Sequence, residues 1–138
     1  MLFLAASVLL VGAAVFVEHH WTGHDGHAQH TRHGTMALNN GQRWATDEAL
    51  RTGMQRIHDA AQQNSPDLAQ TTRQQTDYLI ANCKLEPQAD ATLHGIIAQL
   101  LAGADALEKD SASAKGMETI RRALQQYPEY FDHPGWQP

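Results

Sequence analysis

The chain has 138 residues and a formal net charge of −5, from 10 Lys and Arg against 15 Asp and Glu. This length is typical of one domain, and an acidic chain without a basic stripe is a poor match for nucleic-acid phosphates. The single cysteine, Cys83, excludes an intramolecular disulfide and any zinc-finger spacing. The most unusual count is nine His, six of which lie between His19 and His33.

The N-terminal segment, residues 1–17, is apolar throughout and carries no charge. This pattern predicts the core of a signal peptide or a short membrane anchor. As a helix the segment would rise about 26 Å, slightly less than the ~30 Å hydrocarbon core of a bilayer. Either interpretation predicts a periplasmic protein, soluble after cleavage or held by an inner-membrane anchor, that meets the membrane only through this segment. A cytosolic amphiphile is the third interpretation.

Residues 18–45 are rich in Gly, His and Thr and show no periodic apolar pattern. Such a composition predicts a flexible linker rather than a packed element. Within it, Asn39-Asn40-Gly41 indicates a turn.

Four helices are predicted after this linker. The first covers residues 47–63 and is capped by the Thr46-Asp47 region, and the second is opened by Ser65, with Pro66 at its first helical position. The third, over residues 88–108, has the broadest apolar face.

The fourth helix is predicted to open at Asp110-Ser111 and to kink or end near Tyr127, because Pro128 follows. The aromatic tail up to Trp136 is expected to fold back as a cap. No strand-like alternation of useful length appears. Helices of about 17–21 residues with short connections predict an all-α, up-down-up-down antiparallel four-helix bundle, which occupies residues 46–138.

The His-rich segment, residues 19–33, is the first candidate site. Neutral imidazole is a ligand for copper, nickel, zinc and cobalt, and the glycines between the histidines would let the backbone wrap an ion. The alternatives are a polar linker or a cloning remnant. The predicted ligands are His19, His20, His24, His27, His30 and His33.

A second candidate site, for a metal ion or a haem, lies inside the predicted bundle. Met54 and His94 each fall about seven residues into their helices, so in parallel diagonal helices both would stand near the same height, about 10 Å. They would then face each other across the core, with His58 one turn above Met54. The competing interpretation is ordinary packing, in which Met54 fills the core and the histidines are solvated.

Cys83 stands beside Lys84, a cation that favours the thiolate. A buried structural cysteine, a soft-metal ligand and a catalytic thiol are the three interpretations, although the sequence indicates no positioned base. Phosphate-binding loops, hydrolase elbows, His-Glu-x-x-His, Cys-x-x-Cys-His and the Glu-x-x-His pairs of di-iron bundles do not occur. The chain is therefore not expected to be an enzyme.

The segment 46–131 resembles small exported four-helix-bundle proteins, including the periplasmic haem-b bundle cytochromes. Leu50-Arg-Thr-Gly-Met54 looks like their Met-bearing first helix, whereas His94 lies on helix three and their axial His lies on helix four. The stretches from Asn82 to Pro87 and from Tyr130 to Trp136 also look like exported bundle proteins of metal-resistance loci. The resemblance implies a haem or a transition-metal ion as ligand.

Three hypotheses of function follow. The first is a periplasmic, non-enzymatic metal-binding protein in copper or related metal handling, whose His-rich segment captures the ion. The second is an electron carrier that binds b-type haem through Met54 and His94. The third is an anchored interaction or sensor module, in which the Gln-rich, weakly apolar second helix meets a second copy of the chain or an envelope protein.

Overall fold

The computed structural model describes residues 35–137, which form four helices and two very short strands. The prediction of four helices is confirmed, and the apolar segment 1–17 and the His-rich segment lie outside the described residues. No helix within residues 35–137 is long and apolar enough to cross a membrane. In chain order the elements are β1 (Trp44–Ala45), α1 (Glu48–Gln62), α2 (Leu68–Asn82), α3 (Pro87–Lys109), α4 (Ala114–Tyr130) and β2 (Phe131–Asp132).

The helix starts follow capping chemistry. The Asp47 carboxylate accepts a hydrogen bond from Leu50 N at 2.7 Å, and Ser113 Oγ accepts one from Gly116 N at 3.1 Å. Such caps satisfy backbone N–H groups that have no partner within the helix. Because Ser113 rather than Ser111 supplies the cap, α4 begins later than predicted.

The start of α2 also differs from the prediction. Ser65 and Pro66 belong to a turn in which Ser65 Oγ accepts from Asp67 N at 3.2 Å, and the helix begins at Leu68. Ser65 therefore caps a turn instead of the helix.

Pro128 does not end α4 at Tyr127; the helix continues to Tyr130. A proline in a helix removes one N–H donor and crowds the preceding turn. Here the lost bond falls in the last turn, and Phe131 N still donates to the carbonyl of Tyr127. The helix therefore finishes its final turn beyond the proline.

The helices pack in sequence, α1 on α2, α2 on α3 and α3 on α4, and α1 also contacts α4. Helices α3 and α4 approach each other closely at two glycines, Gly103 and Gly116. A Cβ on Gly103 would lie 2.6 Å from Ile120 Cγ1 and 2.9 Å from the Gly116 carbonyl oxygen. Only a residue without a Cβ lets the two backbones approach this closely.

The two strands, which the sequence did not predict, join the start of α1 to the end of α4. They run parallel, with Trp44 opposite Phe131 and Ala45 opposite Asp132. Thr46 Oγ1 also donates to the Asp132 carbonyl at 2.8 Å. The first and last elements of the described chain therefore meet at one end of the domain.

Residues 35–45 contact the helices, although the sequence assigned them to the flexible linker. Trp44 is 4% exposed, and its Nε1 donates to the Ala37 carbonyl at 2.6 Å. The turn at Asn39-Asn40-Gly41 is confirmed: Asn40 and Gly41 have φ of 50° and 85°, as a two-residue hairpin turn requires. The packed domain thus begins several residues before Thr46.

Candidate functional site

Three of the nine histidines lie within residues 35–137: His58 on α1, His94 on α3 and His133 after β2. The structure brings His58 and His133 together and leaves His94 elsewhere. The other six, in the His-rich segment, lie outside the described residues.

His58 and His133 meet around Trp136 in the tail, residues 131–137. The Trp136 ring centroid lies 4.7 Å from His58, 5.0 Å from His133 and 4.8 Å from Tyr127. These four side chains, the tail cluster, tie the tail to α1 and α4. The expectation that the aromatic tail folds back on the helices agrees with this contact.

The Tyr127 hydroxyl lies 3.0 Å from His133 Nδ1. Burial, the main cause, raises the pKa of Tyr127, so the hydroxyl keeps its proton and can donate it to Nδ1. Burial also lowers the pKa of His133, and Arg51 and His58 lower it further. The neutral imidazole that can accept this bond is therefore the favoured form.

His58 is 8% exposed and has one polar neighbour within hydrogen-bonding distance. Its Nε2 lies 3.3 Å from Gln62 Nε2, which can only donate. The other ring nitrogen, Nδ1, is buried and has no hydrogen-bond partner. The nearest carboxylate oxygen, Asp59 Oδ1, is 3.6 Å away.

A cavity of about 80 Å³ opens beside His58, between α1 and α4. Ala61 and Leu124 give it apolar walls. Polar side chains of both helices stand at its rim: Gln62, Arg121 and Gln125. We call this space the α1–α4 cavity.

Met54 and His94 do not share a surface in the core. Met54 is fully buried among core side chains, whereas the His94 side chain is 54% exposed. His94 Nδ1 lies 2.8 Å from the carbonyl oxygen of Asp90, one turn earlier on the same helix. The prediction that they face each other across the core is therefore wrong, because α3 is rotated so that His94 points to solvent.

Cys83 immediately follows α2 and is half-buried. Burial and the carboxylates of Asp47 and Asp90 raise the pKa of its thiol to about 12. The expectation that Lys84 favours the thiolate is therefore wrong. The raised pKa works against both the nucleophile and the soft-metal ligand that Cys83 was suggested to be, since both need the thiolate.

Sequence reasoning did not single out His133, Trp136, Arg121 or Gln125 for a site. The aromatic run of the tail indicated a cap but not its contact with His58. Nothing local marks Arg121, because its place at the rim depends on how α4 packs on α1. Within residues 35–137, no group of three or more His, Cys, Asp or Glu side chains converges as a metal site would.

Comparisons of the chain with protein-family models, with curated proteins and with solved structures gave no match. Support for a function therefore comes from the residues of this chain.

Proposed function

We propose that the protein binds transition-metal ions and catalyses no reaction, in the handling of copper or a related metal. The observation that carries the proposal is six histidines within the 15 residues from His19 to His33, directly after an apolar segment. Imidazole is the common nitrogen ligand of copper, nickel and zinc. So many imidazoles in a short Gly-containing stretch raise the local ligand concentration, which favours multidentate binding.

We further propose that the helices form an up-down-up-down antiparallel bundle, to which the His-rich segment is attached. The packing of each helix on the next, and of α1 on α4, supports this topology. So does the β1–β2 pair, which joins the start of α1 to the end of α4. Ala37, four residues after His33, exchanges hydrogen bonds of 3.3 Å with Thr92 on α3. The segment would therefore join the domain beside α3.

In this proposal the apolar segment 1–17 carries the protein to the periplasm, as a cleaved signal or an anchor, where the His-rich segment meets incoming ions. The haem alternative receives no support from the described geometry, because it needs His94 in the core beside Met54. The proposal of an interaction module keeps one observation in its favour: Ile80 on α2 is 59% exposed.

The test is a competition titration of the full chain with copper(II), nickel and zinc, repeated on a variant that lacks residues 19–33. We expect binding in the native chain and its loss in the deletion variant. Substitution of His94 by Gln is the matched control and should leave affinity unchanged. Affinity that survives the deletion would place the metal elsewhere and refute the proposal.

A further inference from the structure

The turn at Asn40-Gly41 places a side-chain amide next to an unhindered backbone nitrogen. Asn40 and Gly41 are both exposed, and a Cβ on Gly41 would meet no atom within 4 Å. Among residues 35–137, no group accepts a hydrogen bond from the Gly41 N–H. The Asn40 amide has one long contact, 3.4 Å from its Nδ2 to Asn39 Oδ1. The amide and the nitrogen that follows it are therefore both lightly restrained.

Asn64 has the same backbone conformation but stronger restraints. Its φ is 48°, against 50° at Asn40. The nitrogen that follows it, Ser65 N, donates to the Ala60 carbonyl at 2.9 Å. The Asn64 side chain is also held, because its Oδ1 accepts from Arg121 Nη2 at 2.8 Å. The two asparagines therefore differ in the partners of the amide and of the next nitrogen, not in φ.

Asn82 is restrained in the same way as Asn64. Its Nδ2 donates to the Tyr78 carbonyl at 2.8 Å. The next nitrogen, Cys83 N, donates to the Leu79 carbonyl at 2.9 Å. The remaining asparagine of the four in the chain, at position 39, is followed by a residue whose side chain crowds its nitrogen.

We propose that Asn40 is a site of spontaneous modification, at which the side-chain amide is converted to aspartate and isoaspartate. The Gly41 nitrogen attacks Asn40 Cγ, an N–Cγ bond forms, and the Cγ–Nδ2 bond breaks. Nδ2 leaves as ammonia and takes the proton of the Gly41 nitrogen. Water, the one co-reactant, then opens the cyclic imide at either carbonyl carbon. Addition at Cγ gives aspartate, and addition at the backbone carbon gives isoaspartate.

The turn can open far enough for this attack. Attack requires rotation about the bond between Asn40 Cα and its carbonyl carbon, which brings Gly41 N toward Cγ. Glycine adopts a wide range of backbone angles, so Gly41 can follow that rotation. The turn is closed by one pair of hydrogen bonds between Asn39 and Gln42, of 2.8 and 2.9 Å. An exposed pair of this kind opens locally at low cost.

Isoaspartate would change the strap, residues 35–45, which joins the His-rich segment to the helices. It adds one carbon to the backbone inside a two-residue turn, so Asn39 and Gln42 no longer stand opposite each other. Trp44 Nε1 bonds to the Ala37 carbonyl across this turn. Modification should therefore loosen the strap, whether or not the His-rich segment binds a metal.

The test is peptide mapping by mass spectrometry of the full chain in detergent micelles, incubated at mildly alkaline pH with and without urea. Conversion replaces –NH2 by –OH, which raises the mass of the peptide. For each asparagine, the rate in the folded chain is divided by the rate in urea, and this ratio removes the effect of the neighbouring residue type. We expect folding to slow conversion at Asn64 at least about tenfold more than at Asn40, because two hydrogen bonds must break first at Asn64. Equal slowing at both, or no conversion of Asn40 in the folded chain, would overturn the proposal.

Asn40→Gly is the matched variant, because glycine also accepts the positive φ of the turn but has no amide to lose. In NMR spectra of the incubated native chain, we expect a second signal of the Trp44 indole N–H to grow at the rate of the mass change. Asn40→Gly should keep a single signal. A second signal that grows equally in both chains would overturn the link between Asn40 and the strap.

Discussion

The Tyr127 hydroxyl lies 3.0 Å from His133 Nδ1, and this bond connects α4 to the tail that follows it. A neutral imidazole can accept this bond from the hydroxyl, whereas a protonated ring can only donate to the hydroxyl oxygen. Trp136, three residues later, then packs on Tyr127 and on His58. A charge on His133 would therefore be placed among the packed side chains that hold the tail, where burial disfavours it.

Acid should weaken this attachment. The pKa of His133 is lowered in the folded protein by burial, Arg51 and His58, so the folded state binds its proton less readily than the unfolded chain. The stability contributed by neutral His133 is present above the unfolded pKa of about 6.5 and is lost as the pH falls through the lower folded pKa. We expect urea unfolding to show this loss in the native chain, and a smaller one in His133→Gln.

His94→Gln is the control for that experiment, since His94 is exposed and bonds only within its own helix. Its pH dependence should match that of the native chain. If His133→Gln keeps the full native pH dependence, the tail cluster is not the acid-sensitive element.

The Cys83 thiol should react slowly with alkylating reagents. Its pKa of about 12 leaves little thiolate at neutral pH, so alkylation by iodoacetamide should be much slower than that of an unstructured cysteine. Removing the Asp47 charge by Asp47→Asn lowers that pKa and should speed the reaction. Asn also caps helices, so α1 should persist. The pH dependence of the alkylation rate measures the pKa, and a midpoint near 8.5 would contradict this account.

Gly103→Ala should destabilise the domain, although alanine is normally better than glycine in a helix by about 0.5–1 kcal/mol. The added Cβ would meet Ile120 Cγ1 at 2.6 Å and the Gly116 carbonyl oxygen at 2.9 Å. Overpacking of this kind costs about 1–3 kcal/mol. Chemical denaturation measures the free energy of unfolding, which we expect to fall in Gly103→Ala. A higher free energy of unfolding in the variant would contradict the prediction, because it would mean that the α3–α4 contact accommodates the added Cβ.

Met54 should contribute packing and no metal ligation. It is fully buried, so Met54→Ala should lower the free energy of unfolding by about 2–5 kcal/mol, whereas Met54→Leu should cost less than about 1.5 kcal/mol. Both variants should keep native copper(I) and copper(II) affinities, measured by competition at neutral pH. A loss of copper affinity in the stable Leu variant would identify the thioether as a ligand.

The helices could be predicted because their signals are local. Asp47 stands where the first cap was expected, and Pro87 opens α3 at its first turn. The position of His94 along its helix could also be predicted from the local sequence. The rotation of α3 about its own axis could not. That rotation depends on contacts with α2 and α4, and it turns His94 to solvent.

For the same reason, the tail cluster and the α1–α4 cavity could not be predicted from local sequence patterns. Two-residue strands leave no alternation to detect, yet the β1–β2 pair places the start of the tail beside the residues that lead into α1. Trp136 reaches His58, and Arg121 reaches Asn64, only after the helices have packed. Such contacts join residues far apart in the chain and follow from the whole fold.

The most direct test of the central claim is to observe all nine histidine rings of the full chain by NMR while zinc is added. We predict that the rings of the six histidines from His19 to His33 shift or broaden first and together. The rings of His58, His94 and His133 should stay unchanged until those six are saturated. Early shifts at the three domain histidines, with the six unaffected, would contradict metal capture by the His-rich segment.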